Sequence, residues 1–266
     1  MALDETTTLR LGELLRDFER RAGPIKWSQR DYAETLVRLE LRPAISAAAF
    51  VEAATRRELR KAEIAGLHDV PHVSRFFEQW IVEEDEHARV FAFLSRDMQI
   101  HWGPENLRTS ERVRGALAPL GLQCSRLLPN SVAMFLGVGA AAEYVTTTLY
   151  RRLASMSDAP ELRLVLARIA AQEGRHFRFF LGSSAALSQP TWDRQLVRSL
   201  LIHGWKPVGF DRLGADDWLK TFKPLLLDRT TRSELARMDR RLDEIPLFRG
   251  LSLMTRFLDS DSVRSL

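Results

Sequence analysis

The chain has 266 residues, a formal net charge of +4 and one cysteine, Cys124. Hydrophobic residues make up 45% of it and charged residues 28%, a composition typical of a globular protein with a packed core and not of a disordered chain. The single cysteine excludes an internal disulfide bond and any thiolate-bound zinc or iron–sulfur site built from this chain alone. A metal site would therefore use oxygen and nitrogen ligands.

Charge and hydropathy patterns also limit the partners. No uninterrupted apolar stretch reaches the ~18 residues of a membrane helix, and the first ten residues lack a basic region followed by a hydrophobic one. We therefore predict a cytoplasmic protein without membrane insertion. The basic residues are spread along helical segments without interleaved aromatic residues, so DNA binding is not predicted. The mildly basic charge suits an acidic partner, either a carrier protein or RNA.

The hydrophobic periodicity predicts an all-α fold. An amphipathic segment at 5–22 precedes four long helices at 32–64, 71–99, 130–156 and 160–184, three of which begin next to Pro71, Asn130 and Pro160. Residues 101–128 would form a crossover, and short helices would follow residue 188. We predict a bundle with its N-terminal segment over residues 1–188 and a C-terminal helical extension over 189–266.

Each long helix has an apolar seam, read in alternating steps of four and three residues, that is interrupted near its middle by acids or histidines. Two seams carry a Glu-x-x-His pair: Val73, Phe77, Trp80, Glu84, His87, Phe91, Leu94 and Met98, and Leu162, Leu166, Ile169, Glu173, His176 and Phe180. Two carry a single glutamate: Leu41, Ile45, Ala48, Glu52, Thr55, Leu59 and Ala62, and Val132, Leu136, Gly139, Glu143, Thr146, Tyr150 and Leu153.

Four carboxylates on apolar seams need a shared partner, because an isolated buried carboxylate costs several kcal/mol or more. A Glu and a His at i and i+3 lie on one helix face and can offer oxygen and nitrogen to one metal ion. Two such pairs with two further glutamates form the two-metal ligand set of ferritin-like bundles. Mixed carboxylate and imidazole ligation suits iron, or manganese at one or both positions. The predicted ligands are Glu52, Glu84, His87, Glu143, Glu173 and His176.

Alternative interpretations remain at this point. The same residues would also suit a metal-free buried Glu–His–Arg network. The neighbouring acids are predicted to lie on solvated faces and are excluded as ligands: Glu58, Glu63, Glu83, Asp85 and Glu86. The remaining histidines are predicted in surface or capping roles: His68, His72, His101 and His203. Cys124 is predicted to be a small buried apolar residue.

The motifs resemble those of the soluble acyl-carrier-protein desaturases over roughly residues 40 to 185. The resemblance is carried by Trp80-Ile-Val-Glu-Glu-Asp-Glu-His87, Ala142-Glu143-Tyr-Val-Thr146 and Ile169-Ala-Ala-Gln-Glu-Gly-Arg-His176. It implies two iron ions, molecular oxygen as co-substrate, an acyl carrier protein, a ferredoxin-type electron donor and a homodimer. By resemblance, Thr146 is the candidate catalytic residue and lies on the oxygen-binding side of the site. The family often carries Asp where this chain has Gln172, and Arg where it has Glu86.

The leading functional hypothesis is desaturation of a carrier-bound acyl chain. One alternative is hydroxylation or N-oxygenation of a small molecule or a modified RNA. Others are iron handling in the manner of ferritins and a metal-free helical interaction module. Small residues on the third long helix would either leave room for an acyl chain or allow close helix packing: Gly137, Gly139, Ala140 and Ala141. A basic cluster would dock an acidic carrier or face solvent: Arg56, Arg57, Arg60 and Lys61.

Overall fold

The computed structural model describes residues 3–25, 27, 37, 39–98, 100, 126–226 and 228–260, and its regular structure in these ranges is helical throughout. The helices are α1 (Glu5–Glu19), α2 (Arg42–Glu52), α3 (Thr55–Ile64), α4 (Pro71–Ser95), α5 (Ser131–Met156), α6 (Pro160–Leu187), α7 (Arg194–Gly204), α8 (Phe210–Leu213), α9 (Ala215–Leu226), α10 (Arg229–Leu242) and α11 (Leu253–Leu258). Short 3-10 helices span Leu39–Leu41 and Leu67–Asp69. The predicted crossover lies, but for 126–128, outside the described residues, as do His101 and Cys124.

The core is a ferritin-like helical bundle, as the sequence predicted. Helices α5 and α6 pack against each other along most of their length, and α2 packs on α4. The predicted helix starts are confirmed, because α4 begins at Pro71, α5 at Ser131 and α6 at Pro160. Proline suits the first turn of a helix because the amide that it lacks would have no partner within the helix. The interrupted seams of all these helices face inward, so polar groups meet in the centre of the bundle.

The prediction of one uninterrupted helix over 32–64 is wrong. Helix α2 ends at Glu52 and α3 begins at Thr55, with Ala53 and Ala54 in a turn between them. The amide of Ala54 donates to the carbonyl of Val51, three residues back, so the chain tightens locally. Neither alanine favours a break by its own propensity. The interruption therefore follows from packing, and it places Glu52 at the end of a helix.

Helix α1 lies against α6 and α4. Its start is capped by Asp4, whose carboxylate accepts a hydrogen bond from the Thr7 amide at 2.7 Å. Leu11, Leu15 and Phe18 form its buried face, and the Phe18 ring lies against Phe76 of α4. The predicted amphipathic segment thus closes one side of the bundle next to the aromatic part of its core.

The chain after residue 188 forms short helices that contact the bundle. Helix α10 packs on α5, and Phe248 lies against Gly137 of α5. The buried Asp193 accepts hydrogen bonds from the Asn130 amide and side chain, both at 2.8 Å, which joins the start of α7 to the start of α5. The division of the chain into domains at residue 188 stays a prediction.

Helix α5 is long and apolar enough to cross a membrane by length and composition, with a mean hydropathy of 1.4 over its most apolar 18-residue window. However, 61% of that window is buried inside the structure. A core helix of a globular bundle meets the same criterion, so this helix is weak evidence for a membrane span. The predicted location in the cytoplasm stays a prediction.

Candidate metal centre

The six predicted ligands lie together in the middle of the bundle. Each of them is buried: Glu52, Glu84, His87, Glu143, Glu173 and His176. Their donor atoms form two groups, in each of which the atoms lie within 4.8 Å of one another. One group contains Glu52, Glu84, His87 and Glu173, and the other contains Glu84, Glu143, Glu173 and His176. Because Glu84 and Glu173 belong to both groups, the geometry is that of two adjacent sites with two shared carboxylates.

Several donor atoms of this cluster lack a hydrogen-bond partner within the described residues, as expected of atoms that bind a cation. Among the described residues, Glu84 Oε1, His87 Nδ1 and Glu173 Oε1 are buried without a hydrogen-bond partner. His87 Nδ1 lies 3.2 Å from Glu173 Oε1, and His176 Nδ1 lies 3.1 Å from Glu84 Oε1, without hydrogen-bond geometry. Buried polar atoms are rarely left unpaired in proteins. Four carboxylates and two imidazoles of this kind fit a pair of iron ions.

The electrostatics of the cluster agree with this interpretation. Burial, together with the charges of Glu84 and Glu173, raises the pKa of Glu52 well above its ordinary value. Burial and the neighbouring Glu173 do the same to the pKa of Glu143. Burial opposes ionisation of His176, but its contacts with Glu143 and other carboxylates outweigh this and raise its pKa well above the ordinary value. Without a cation, protons must therefore offset the crowded negative charge, as expected where carboxylates share one buried site.

The outer ring nitrogen of each histidine has its own partner. Glu83 Oε2 accepts from His176 Nε2 at 2.7 Å, and Gln172 Oε1 accepts from His87 Nε2 at 2.7 Å. Both bonds leave Nδ1 facing the cluster, which fixes the ring orientation that a metal ligand needs. Gln172 thus binds a histidine of the cluster with a neutral amide. One histidine has an anionic partner and the other has a neutral one.

The prediction that Glu83 and Glu86 lie on solvated faces is wrong. Both are buried, because the segment after α1 crosses over them. The Gly23 amide donates to Glu83 Oε1 at 2.9 Å, and the Ile25 amide donates to Glu86 Oε2 at 2.6 Å. Burial opposes ionisation of Glu83, but the hydrogen bond and charge of His176 outweigh it and hold its pKa below the ordinary value. Asp85 is half-exposed and pairs with Arg56, as expected for an acid off the seam.

The Gly23–Ile25 segment therefore spans the outside of the metal centre. The Gly23 carbonyl also accepts from Gln172 Nε2 at 2.6 Å. Arg175 donates to Glu83 at 2.7 Å and completes the partners of that carboxylate. Sequence patterns did not reveal these contacts, because Gly23 lies 60 residues from Glu83 and 149 from Gln172 along the chain.

Two aromatic residues of the seams hold the single glutamates. Trp80 Nε1 donates to Glu143 Oε1 at 3.2 Å, and the buried Tyr150 hydroxyl donates to Glu52. The sequence pattern placed both residues on apolar seams. Each side chain also carries one polar atom, and that atom is the signal in the sequence for a hydrogen bond to a buried carboxylate. Thr146 is buried, and its hydroxyl donates to the backbone carbonyl of Glu143 at 3.1 Å. Its predicted catalytic role stays a prediction.

A cavity of about 290 Å³ adjoins the carboxylates on the side of α2 and α5. Its inner wall contains Glu52, Glu84, Glu143, Glu173 and Thr146, and its sides are aromatic: Phe77, Trp80, Phe135 and Phe180. The outer end is formed by Lys61 of α3, the loop from Trp205 to Gly209, and Arg212 of α8. The C-terminal part of the chain therefore helps to enclose the space beside the metal centre.

The small residues of α5 divide between the two predicted roles. Gly137 serves packing, because a Cβ there would lie 2.2 Å from Phe248. Gly139 lines the cavity, although a Cβ there would also lie 2.8 Å from Phe180. Ala140 and Ala141 are fully buried in the core. The predicted room beside the metals therefore depends on Gly139 and its neighbours and not on the whole run of small residues.

Comparison with protein-family models matches residues 52–182 to the family described as Rubrerythrin. The matched range contains all six predicted ligands. A search of curated proteins and a search of solved structures each gave no significant match. Fold, donor set and family match agree on a ferritin-like di-iron protein, and none of them points specifically to the acyl-carrier-protein desaturases.

Proposed function

Taking the ferritin-like di-iron bundle as the premise, we propose that the protein is an oxygen-dependent oxidase that acts on an organic substrate in the cavity beside the metal centre. The observation that carries the proposal is this cavity, whose inner wall is the carboxylate cluster and whose sides are aromatic. Small-molecule sites in proteins are concave, mostly apolar and supplied with a few polar groups. A site for iron transit alone does not need such an apolar chamber.

The two donor groups suggest which residues hold each ion. Glu84 and Glu173 would help to hold both ions, since each belongs to both groups. Glu52 with His87 would complete one site, and Glu143 with His176 the other. Iron is the favoured metal, and manganese at either position is compatible with the same ligands. When bound, the two ions would supply electrons that activate molecular oxygen for hydrogen abstraction from an unactivated carbon.

The chain itself supplies position and exclusion of water. Phe77, Trp80 and Phe180 surround the inner part of the cavity, so an apolar carbon would lie next to the carboxylates without competing water. Trp80 and Tyr150 hold Glu143 and Glu52 by hydrogen bonds and limit their rotation. These contacts would keep the carboxylates at the distances that two ions require.

Desaturation of an acyl chain is the first reaction to test, because the motifs resemble those of the soluble acyl-carrier-protein desaturases. In that reaction two C–H bonds are lost and one C=C bond forms. Molecular oxygen takes up two electrons from the chain and two from a donor, with the matching protons, and leaves as two waters. An acyl carrier protein, a ferredoxin-type donor and a homodimer belong to this proposal.

Hydroxylation or N-oxygenation of a small molecule is the second candidate, and the size of the cavity favours it. At about 290 Å³ the cavity lies at the lower end of the ~300–1,000 Å³ range of ligand pockets. A compact substrate would fill it, whereas a long acyl chain would need further space. Here one oxygen atom would enter the substrate and the other would leave as water, again with two electrons from a donor.

The proposal is tested by the metal content and oxygen consumption of the iron-loaded protein. We expect about two irons per chain, lost in the Glu84→Ala/Glu173→Ala variant, because removal of both shared carboxylates leaves neither ion with enough ligands. The matched control is Glu78→Ala/Glu161→Ala, which removes two exposed carboxylates from the same two helices and should keep both irons.

Oxygen consumption separates the functional alternatives. With a chemical reductant, octanoate and octanoyl carrier protein are offered as substrates, and products are identified by mass spectrometry. A loss of two mass units indicates desaturation, and a gain of sixteen indicates oxygenation. Iron that is oxidised and retained without any substrate oxidation would instead indicate iron handling. A folded wild type that binds no metal would contradict the proposal.

A further inference from the structure

Arg212 lies at the outer end of the cavity. It belongs to the short helix α8 and lines the cavity together with Lys61 and Lys206. Its Nε and Nη1 atoms are buried, and among the described residues they have no hydrogen-bond partner. Buried N–H groups of a charged side chain are normally paired, because the charge otherwise loses its hydration without compensation. The structure thus presents two unused donors next to an internal space.

Among the described residues, no acid forms an ion pair with Arg212, although the charge of Glu58 acts on it. Both carboxylate oxygens of Glu58 accept from Lys61 Nζ, at 2.8 and 2.9 Å. Asp211, the other acid at this end of the cavity, is exposed to solvent. Burial, together with the positive charge of the exposed Arg57, lowers the pKa of Arg212, and the charge of Glu58 offsets part of this effect. Arginine nevertheless stays protonated at neutral pH, so a positive charge is fixed there.

The guanidinium group is also held in place. Its Cζ atom lies 4.8 Å from the centre of the Phe50 ring, over the ring face. Stacking on an aromatic ring orients the planar group and leaves its edge free to donate hydrogen bonds. The two free donors, Nε and Nη1, lie on different edges of the guanidinium group. Each of them donates most strongly to a charged oxygen acceptor such as a carboxylate oxygen.

We infer that Arg212 binds the carboxylate of the substrate and that the substrate class is a compact organic acid. This inference rests on the proposed function and names the substrate of the same site. The four glutamates of the inner wall disfavour an anion at that end, whereas Arg212 attracts one at the other. The acid group would therefore point to Arg212 and the apolar end to the metal centre.

The size of the cavity sets the size of the acid. A cavity of about 290 Å³ is small for a ligand pocket, so a compact acid suits it. Octanoate, with ten non-hydrogen atoms, is therefore a suitable probe, and octan-1-ol is its uncharged analogue. An acyl chain that is carried on phosphopantetheine brings a phosphate, which is also an oxyanion. Octanoyl carrier protein is therefore the second probe.

The experiment is calorimetric titration of the full, iron-loaded protein with each probe. We expect octanoate to bind at least about tenfold more tightly than octan-1-ol. Arg212→Gln should weaken octanoate binding by about 10- to 100-fold, because a charge-assisted hydrogen bond is lost, and should leave octan-1-ol binding unchanged. Arg57→Gln is the matched control, since it removes a neighbouring exposed arginine that does not line the cavity. Arg212→Lys should keep part of the affinity.

Each result decides the inference. Equal binding of octanoate and octan-1-ol, or octanoate binding that is unchanged in Arg212→Gln, would overturn it. Arg212-dependent binding of octanoyl carrier protein, without binding of octanoate, would overturn the compact acid as the substrate and assign the carrier phosphate as the ligand of Arg212. Carrier binding that does not depend on Arg212, with no octanoate binding, would overturn it.

The two proposals fail in different ways. Iron content and thermal unfolding are measured for every variant, so a misfolded Arg212→Gln protein is recognised, and Arg212→Lys then carries the test. Arg212-dependent octanoate binding without any oxygen-dependent product would leave the inference standing and count against the oxidase. Oxidation of an uncharged substrate without any effect of Arg212 would support the oxidase and overturn the inference.

Discussion

At the residue scale, the two histidines of the candidate metal centre differ in the partner of the outer ring nitrogen. His176 has the carboxylate of Glu83, and His87 has the amide of Gln172. An anionic partner makes an imidazole a stronger donor to a metal than a neutral partner does. The two metal positions are therefore chemically unequal, and the position next to His87 is expected to bind its ion more weakly.

This inequality leads to a prediction for Gln172→Ala. The change removes the acceptor of His87 Nε2 and should lower the affinity of the adjacent metal position by about 10- to 100-fold, because the ring is no longer oriented. Titration of the metal-free protein with ferrous iron should then show one tight site and one weakened site. Gln79→Ala is the control, since the side chain of Gln79 on the same helix as His87 donates to Glu19 of α1. Two unchanged tight sites would contradict the assignment of His87.

At the element scale, the start of α5 is joined to the start of α7 through Asp193. Its carboxylate accepts from the Asn130 amide, the Asn130 side chain and the Thr191 hydroxyl at 2.6 to 2.8 Å. Burial alone would raise the pKa of Asp193, but the hydrogen bonds from Thr191 and Asn130 outweigh it and hold the pKa below the ordinary value. The ionised carboxylate therefore stabilises the folded protein.

The sign of the pH dependence follows from this shift. Asp193→Asn should lower the free energy of unfolding by about 1–3 kcal/mol at pH 7, because charge-assisted hydrogen bonds are weakened. Since the folded pKa lies below the unfolded value of about 3.9, the difference should persist above pH 5 and shrink as the pH falls through the folded pKa. Urea unfolding at several pH values measures it. Asp97→Asn, which changes an exposed acid, should have little effect on the free energy of unfolding. If the difference between the wild type and Asp193→Asn did not depend on pH, the role of the charge would be refuted.

At the scale of the whole molecule, the C-terminal helices are fitted to the bundle by close contact at Gly137. A Cβ at this position would lie 2.2 Å from Cε2 and 2.4 Å from Cζ of the buried Phe248 ring. Gly137→Ala should therefore lower the free energy of unfolding by about 1–3 kcal/mol through overpacking. Gly174→Ala, where the nearest atom is 4.0 Å away, should raise it by about 0.5–1 kcal/mol.

A double variant identifies the contact that is responsible. Leucine at position 248 lacks the outer ring atoms, so Gly137→Ala/Phe248→Leu should be more stable than the sum of the two single changes predicts. Denaturant unfolding of the four proteins gives this interaction energy. Strict additivity would show that Gly137 is needed for a reason other than its approach to Phe248.

The sequence by itself determined the all-α bundle, the starts of α4, α5 and α6, and the residues that meet in the centre. These features depend on local patterns, because helical periodicity brings Glu84 and His87 to one face whatever surrounds them. The same is true of Glu173 and His176. A polar group on an apolar seam must find a partner, so the seams also indicated that the four helices share one centre.

Tertiary structure alone decided the features that depend on contacts between distant parts of the chain. The turn at Ala53 and Ala54 opposes the helix propensity of alanine and arises from packing. Glu83 and Glu86 are buried because a segment 60 residues away crosses them, and local spacing carries no information about such a crossing. The position of Arg212 beside the cavity could not be predicted for the same reason, because this residue comes from the C-terminal part of the chain. Helical periodicity determines which residues share a helix face, whereas burial between helices depends on how the whole chain packs.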